Sequence, residues 1–141
     1  MFKLKHILIV DDDQINSLFS RIILEDANVC QMVSICQSAV EALELLRSAD
    51  NGETLFPDLI LLDIHMPGLD GFDFLDQYYQ LGYSKYHQAL ISLFSSSDDP
   101  EHLERIKQYN VVVGLIKKPL SMTTLHNLLE HHLSPPVNNL L

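Results

Sequence analysis

Cysteine is scarce in this chain: Cys30 and Cys36 form neither a Cys-x-x-Cys pair nor a set large enough for a disulfide framework. The expectation is two reduced, mostly buried thiols in a cytoplasmic protein. Basic residues are few as well. Nine Lys and Arg stand against nineteen Asp and Glu, leaving a formal net charge of −10. Such a field repels nucleic acid and anionic lipid and favours cations and basic partners. No apolar stretch reaches membrane-spanning length, so no membrane association is expected. The run before Asp11 ends in three aspartates without a small-residue cleavage site, so no signal peptide is expected. Five Gly and six Pro are too few for a low-complexity chain, and no internal repeat is visible.

What is present suits one soluble domain. The 141 residues are 47% hydrophobic and 20% charged, enough to bury a single sizeable core. The expected organisation is one domain over residues 1–134, closed by Pro135-Pro136, with a short tail over 135–141.

Five short runs read as strands covered on both faces: His6 to Val10, Met32 to Cys36, Asp58 to Leu62, Ala89 to Phe94 and Val111 to Ile116. Five helical patterns follow them. Ile15, Leu18, Phe19, Ile22 and Ile23 recur at helical spacing behind Asp13, a cap for the first turn. Ser38-Ala39-Val40-Glu41 reads as a capping box opening the second helix. Phe72, Leu75, Tyr78 and Tyr79 carry the third, ending near Gly82; Asp99-Pro100 opens a fourth over Glu101 to Gln108. Ser121 caps the fifth, with Leu125, Leu128 and Leu129 on its inner face. Strands alternating with helices predict an α/β fold, a parallel sheet with helices on both faces.

In such a sheet ligands bind outside the carboxyl ends of the strands. Those ends carry Asp11, Asp12 and Asp13, then Asp63, Ser95 and Lys118. Clustered carboxylates repel, at about 4 kcal/mol for a pair roughly 4 Å apart at an effective dielectric near 20, so something must neutralise them. Oxygen-only ligands favour a hard ion such as Mg²⁺, and Lys118 adds a second positive charge. A carboxylate beside a metal, an amine and a hydroxyl suits phosphoryl transfer, with Asp63 as the nucleophile.

The segments Ile7-Leu8-Ile9-Val10-Asp11-Asp12-Asp13, Leu61-Leu62-Asp63-Ile64-His65-Met66-Pro67-Gly68-Leu69-Asp70-Gly71, Ser95-Ser96 and Lys118-Pro119 fall in order, each at a strand end. On them the chain resembles the receiver domains of two-component response regulators over roughly Lys5 to His132, and their single-domain type is expected here. The resemblance implies a doubly wound, flavodoxin-like five-stranded sheet of order 2-1-3-4-5 with five helices. It implies Asp63 as phosphoacceptor and a Mg²⁺ or Mn²⁺ cofactor on Asp12, on Asp63, on Asp11 through water and on the main-chain carbonyl of His65. It further implies Ser95 as switch hydroxyl, Lys118 as counter-ion, a histidine kinase or phosphotransfer protein as donor, and a downstream protein target. By the same resemblance the chain catalyses only its own phosphorylation and dephosphorylation. Two departures matter: Leu115 stands where many receivers carry an aromatic switch residue, and His65 and Ser96 occupy positions that tune phosphoryl lifetime in the family.

Other functions fit less well. A Mg²⁺-dependent aspartyl-phosphate phosphatase usually needs a second Asp two residues after the nucleophile, where His65 stands. A flavin or nucleotide carrier wants a Gly/Ser/Thr-rich loop after the first strand, and three aspartates repel such a ligand. A degenerate docking receiver would have lost acceptor, metal or lysine positions that are retained. Taken singly, an aspartate turn or a lysine at a strand end is an ordinary surface feature; their joint placement argues otherwise. His126, His131 and His132 lack metal-ligand spacing and read as a solvated helix face. For Tyr78, Tyr79, Tyr83 and Tyr86, core, rim and partner-facing positions all stay open.

Overall fold

The apolar runs around Ile7, Ile60 and Ile91 become neighbouring strands because both faces of each are covered, leaving all three residues without solvent exposure. The computed structural model describes residues 4–95 and 100–132. In chain order the elements are β1 (Leu4–Val10), α1 (Gln14–Ala27), β2 (Cys30–Cys36), α2 (Ala39–Asp50), β3 (Leu59–Asp63), α3 (Gly71–Gln80) and α4 (Tyr83–Tyr86). There follow β4 (Leu90–Ser95), α5 (Pro100–Arg105), a 3₁₀ turn over Ile106–Gln108, β5 (Val112–Lys117) and α6 (Met122–His132). The five strands form one parallel sheet of order β2-β1-β3-β4-β5, the expected doubly wound arrangement.

Strand residues alternate between two core layers, as the period of a β-strand requires. Leu8, Val10, Ile60 and Leu62 pack with Leu46 of α2 and with Phe72, Leu75 and Tyr78 of α3. Ile7, Ile9, Leu59 and Leu61 pack with Leu24 of α1 and with Leu125 and Leu128 of α6 on the opposite face. The helix caps read from the sequence form where they can be described. Asp13 accepts from the amides of Ile15 and Asn16, and Ser121 Oγ from that of Thr124. Ser38 accepts from Glu41 N, but the returning Glu41 carboxylate meets Gln37 N, one residue before the cap. Asp99, Ser96 and Pro135-Pro136 lie outside the described residues.

Two expectations need correction. The described chain has six α-helices where five were expected: α3 stops at Gln80, Gly82 turns the chain at φ +84°, and the four-residue α4 follows. One helical turn is too short to carry a periodic signal. A side chain at Gly82 would also come within 2.9 Å of the Tyr86 ring. The helix expected over Glu101 to Gln108 divides into α5 and the 3₁₀ turn. The tyrosines separate too: Tyr78 and Tyr83 are buried, Tyr79 is half-buried, and Tyr86 is exposed.

The sequence pattern left open which face of α1 meets the sheet. The apolar stripe that marks it in the sequence faces outward: Ile15, Leu18, Phe19 and Ile22 are exposed, while Ser17, Ser20 and Leu24 are buried. Ile23 alone of the five joins the core, partly buried. The small Ser17 and Ser20 let the helix sit close to the sheet, with Ser17 Oγ 3.5 Å from the Asp11 carbonyl.

This orientation makes a stability prediction. Leu24→Ala should cost about 2–5 kcal/mol, as for a fully buried leucine, whereas Ile15→Ser should stay within about 0.5 kcal/mol. Urea unfolding measures both, and equal losses would contradict the described face of α1.

Candidate functional site

Parallel strands bring their carboxyl ends to one edge of the sheet, and the register sets which residues meet there. Val10 pairs with Leu62, Asp63 with Phe94, and Ser95 with Lys117. Asp11 and Asp63 therefore leave adjacent strands side by side, with Ser95 one residue beyond Phe94 and Lys118 directly after β5. Residues far apart in sequence converge because each closes its strand.

The Lys118 ammonium joins the acids. Its Nζ lies 3.0 Å from Asp11 Oδ2 and 3.3 Å from Asp63 Oδ1. Asp11, Asp12 and Asp63 each offer a carboxylate oxygen within 4.8 Å of the others, the metal-type group found among the described residues. Asp11 and Asp63 are buried, and Asp12 is exposed at the rim. Asp11 is held by Asp13 N at 3.0 Å and by Asn16 Nδ2 at 2.7 Å. The His65 amide donates to Asp63 Oδ1 at 3.2 Å.

This crowding has an electrostatic cost. Burial, and then the negative charge of Asp11, push the Asp63 carboxyl up from 3.8 to about 7 against the opposing pull of Lys118 and the His65 amide. Burial alone would lower the Lys118 ammonium; the hydrogen bond it donates to Asp11 and the charges of Asp63 and Asp11 outweigh it and leave Lys118 raised. A buried carboxylate that tends to retain a proton beside two further acids has the donor chemistry of a hard-cation site. Oxygen ligands at one rim suit Mg²⁺ or Mn²⁺, so the residues present fit such an ion.

Two contributors escaped the sequence reading. Asn16 orients Asp11 from the first turn of α1; only its helical placement, one turn beyond the aspartates, hinted at it. Gly71 opens α3 directly under the end of β3, where a Cβ would lie 2.7 Å from the Asp63 carbonyl oxygen and 2.9 Å from Ile64 Cα. Its amide also donates to the Ile64 carbonyl at 2.9 Å. Ser95 is buried at the end of β4, and its carbonyl accepts from Lys118 N at 2.8 Å. The Lys118-Pro119 peptide is cis. His65 is exposed, and Leu115 is half-buried against the core layer of α2 and α3. Other candidates stay apart from the site. His126, His131 and His132 are exposed on α6, and Cys30 and Cys36 open and close β2. Burial, aided by Glu41, pushes the Cys36 thiol up to about 12, which keeps it unreactive.

Residues 7–130 match the family described as response regulator receiver domain. A two-component response regulator of Arabidopsis thaliana, ARR2, is 28% identical over 125 residues, covering 89% of this chain and 17% of that protein. An uncharacterized response regulatory protein of Staphylococcus epidermidis is 31% identical over 132 residues, covering 92% of this chain and 46% of that protein. This chain thus spans less than half the length of these two relatives. The crystal structure of a two component response regulator from Cytophaga hutchinsonii superposes with a TM-score of 0.84 at 26% identity, covering 91% of this chain and 96% of that one.

Asp63 supplies a pH prediction for the metal-free protein. Its folded value lies above its ordinary 3.8, so the folded state holds the proton more tightly. That contribution to stability is fully present below pH 4 and lost as pH rises through about 7. In EDTA, Asp63→Asn should therefore melt above the wild type at pH 8, and the gap should shrink by pH 4. A gap that widens on acidification would reverse the sign. Mg²⁺ at about 100 times its Kd should add roughly 2.7 kcal/mol, or about 5–10 °C in Tm at this size. Asp12→Ala should remove most of that shift, and an unchanged shift would put the ion elsewhere.

Proposed function

Because this chain belongs to the response regulator receiver domain family of two-component signalling, we propose that it takes a phosphoryl group onto Asp63 from a histidine kinase or phosphotransfer protein and signals through protein contacts. The single observation that carries this reading is Lys118 Nζ lying between Asp11 and Asp63, within hydrogen-bonding reach of both. In the transfer an Asp63 carboxylate oxygen forms a bond to phosphorus, the P–N bond to the donor's imidazole breaks, and its electron pair returns to that ring. The phosphoryl oxygens then meet the Lys118 ammonium, whose charge is in place before reaction, and accept a hydrogen bond from the Ser95 hydroxyl. Asp12 and Asp63, Asp11 through water and the His65 main-chain carbonyl would hold Mg²⁺ or Mn²⁺, which would supply the remaining positive charge. The chain catalyses only its own gain and loss of the group, within a domain over residues 1–134.

A protein donor needs a surface beside the acceptor. Ile15, Leu18, Phe19 and Ile22 expose an apolar face on the helix that begins at the acid cluster. Next to it, Asp13, Ile15, Asn16, Phe19 and Pro119 line an open groove of about 330 Å³. Exposed apolar residues grouped in this way mark interaction sites. The net charge of −10 disfavours nucleic acid as a partner, and no described helix is long and apolar enough to cross a membrane. A cytoplasmic site of action follows from the proposed donors.

Incubation with a small phosphodonor and Mg²⁺ should add one phosphoryl mass to the intact wild-type chain. Asp63→Asn should stay unlabelled, and Lys118→Ala should be labelled slowly or not at all. Wild-type labelling of the Asn variant would assign the acceptor to another residue.

A further inference from the structure

Two small residues at neighbouring register positions leave a gap in the packing on one side of the sheet. Ser92 of β4 pairs with Gly114 of β5, and both line a slot of about 190 Å³ closed on its other side by Thr124, Leu128 and His131 of α6. A Cβ on Gly114 would meet nothing within 4 Å. Interiors are packed about as densely as organic crystals, and one water fills only about 30 Å³. The slot therefore has room for an aliphatic side chain. It also holds an unsatisfied polar group: Ser92 is 1% exposed, and its hydroxyl has no hydrogen-bond partner among the described residues. Buried hydroxyls are paired as a rule, so the partner is to be sought outside them. The proposed phosphoryl chemistry makes no use of this slot.

The course of the chain selects the occupant. His131 and His132, the last residues of α6, form one rim of the slot. Residues 133–141 follow directly, outside the described residues. They read Leu-Ser-Pro-Pro-Val-Asn-Asn-Leu-Leu, without a charged side chain in a chain of net charge −10. Pro135 and Pro136 are unsuited to continuing α6, which makes Val137 the first apolar residue able to return. Five residues from Leu133 to Val137 reach about 17 Å when extended, whereas Thr124 to His131 spans about 10 Å of helix. We propose that residues 133–141 fold back over the slot, set the Val137 side chain into it, and pair the Ser92 hydroxyl with a main-chain group of the same segment. β5 is an edge strand, and an edge covered in this way is closed to pairing with another chain. Any partner of the β5–α6 face then has to displace the segment. This holds whether or not Asp63 carries a phosphoryl group.

The chain has no tryptophan, so Val137→Trp in the full chain places a single reporter. Its emission should be blue-shifted and shielded from acrylamide. Adding Gly114→Val, whose side chain has open space on the slot floor, should shift the emission to the red and remove the shielding. Nuclear Overhauser contacts in the wild type need no substitution: they should link the Val137 methyls to those of Val113 and Leu128, and be lost in Gly114→Val. Wild-type spectra without those contacts, with water cross-peaks at Ser92 and Gly114 in their place, overturn the proposal. Contacts that arise only between differently labelled copies overturn it too, since the occupant is then a second chain.

Discussion

Two carboxylates at the ends of adjacent strands can be buried together only if positive charge comes with them, and in this chain the Lys118 ammonium brings it. The contacts at 3.0 Å and 3.3 Å join the loop after β5 to the ends of β1 and β3, across the width of the sheet. Every other feature of the site is arranged around that bridge. Asn16 and the Asp13 amide hold Asp11, the His65 amide holds Asp63, and Lys118 N bonds the carbonyl of Ser95. The bridge is incomplete compensation, since Asp63 remains far above the ordinary carboxyl range. A site left short of positive charge favours a bound cation, so on the proposed function its electrostatic discomfort and its reactivity share one cause.

Much of this was legible in the sequence, and the reason is geometric. Parallel strands buried on both faces are continuous apolar runs, so His6 to Val10 and Asp58 to Leu62 announce themselves, and the carboxylates that stop them mark the site edge. Asp13 and Ser121 were readable as caps because capping chemistry is local. Features that depend on what lies opposite were hidden. The apolar spacing of α1 indicates a helix but not which side of it meets the sheet; the buried side is set by two serines and Leu24. Gly71 is demanded by backbone from β3, eight residues earlier in the chain, rather than by its own turn. The ring of His102 reaches His65 only after α5 has docked on α3.

The two helical layers carry different burdens. On one face α2 and α3 enclose the aromatic part of the core, with Phe72, Phe74, Tyr78 and Tyr83 all buried. Tyr79 and Tyr109 then tie α3 to the approach to β5: Tyr79 OH bonds Asn110 and Val111 N, and Tyr109 OH bonds Asp76. Elements around Asp63 are thereby fastened to each other as well as to the sheet, which keeps the first contacts of the site on rigid supports. The more loosely seated α5 is the exception, with no completely buried residue of its own.

The outward stripe of α1 has an evolutionary corollary. Side chains at positions 15, 18, 19 and 22 answer to no packing constraint from the interior, so they are open to drift or selection without endangering the fold. On the proposed function, duplicated copies of such a chain would diverge there into non-interfering signalling lines, each insulated from the others' donors, while the acid cluster and its lysine stayed unchanged.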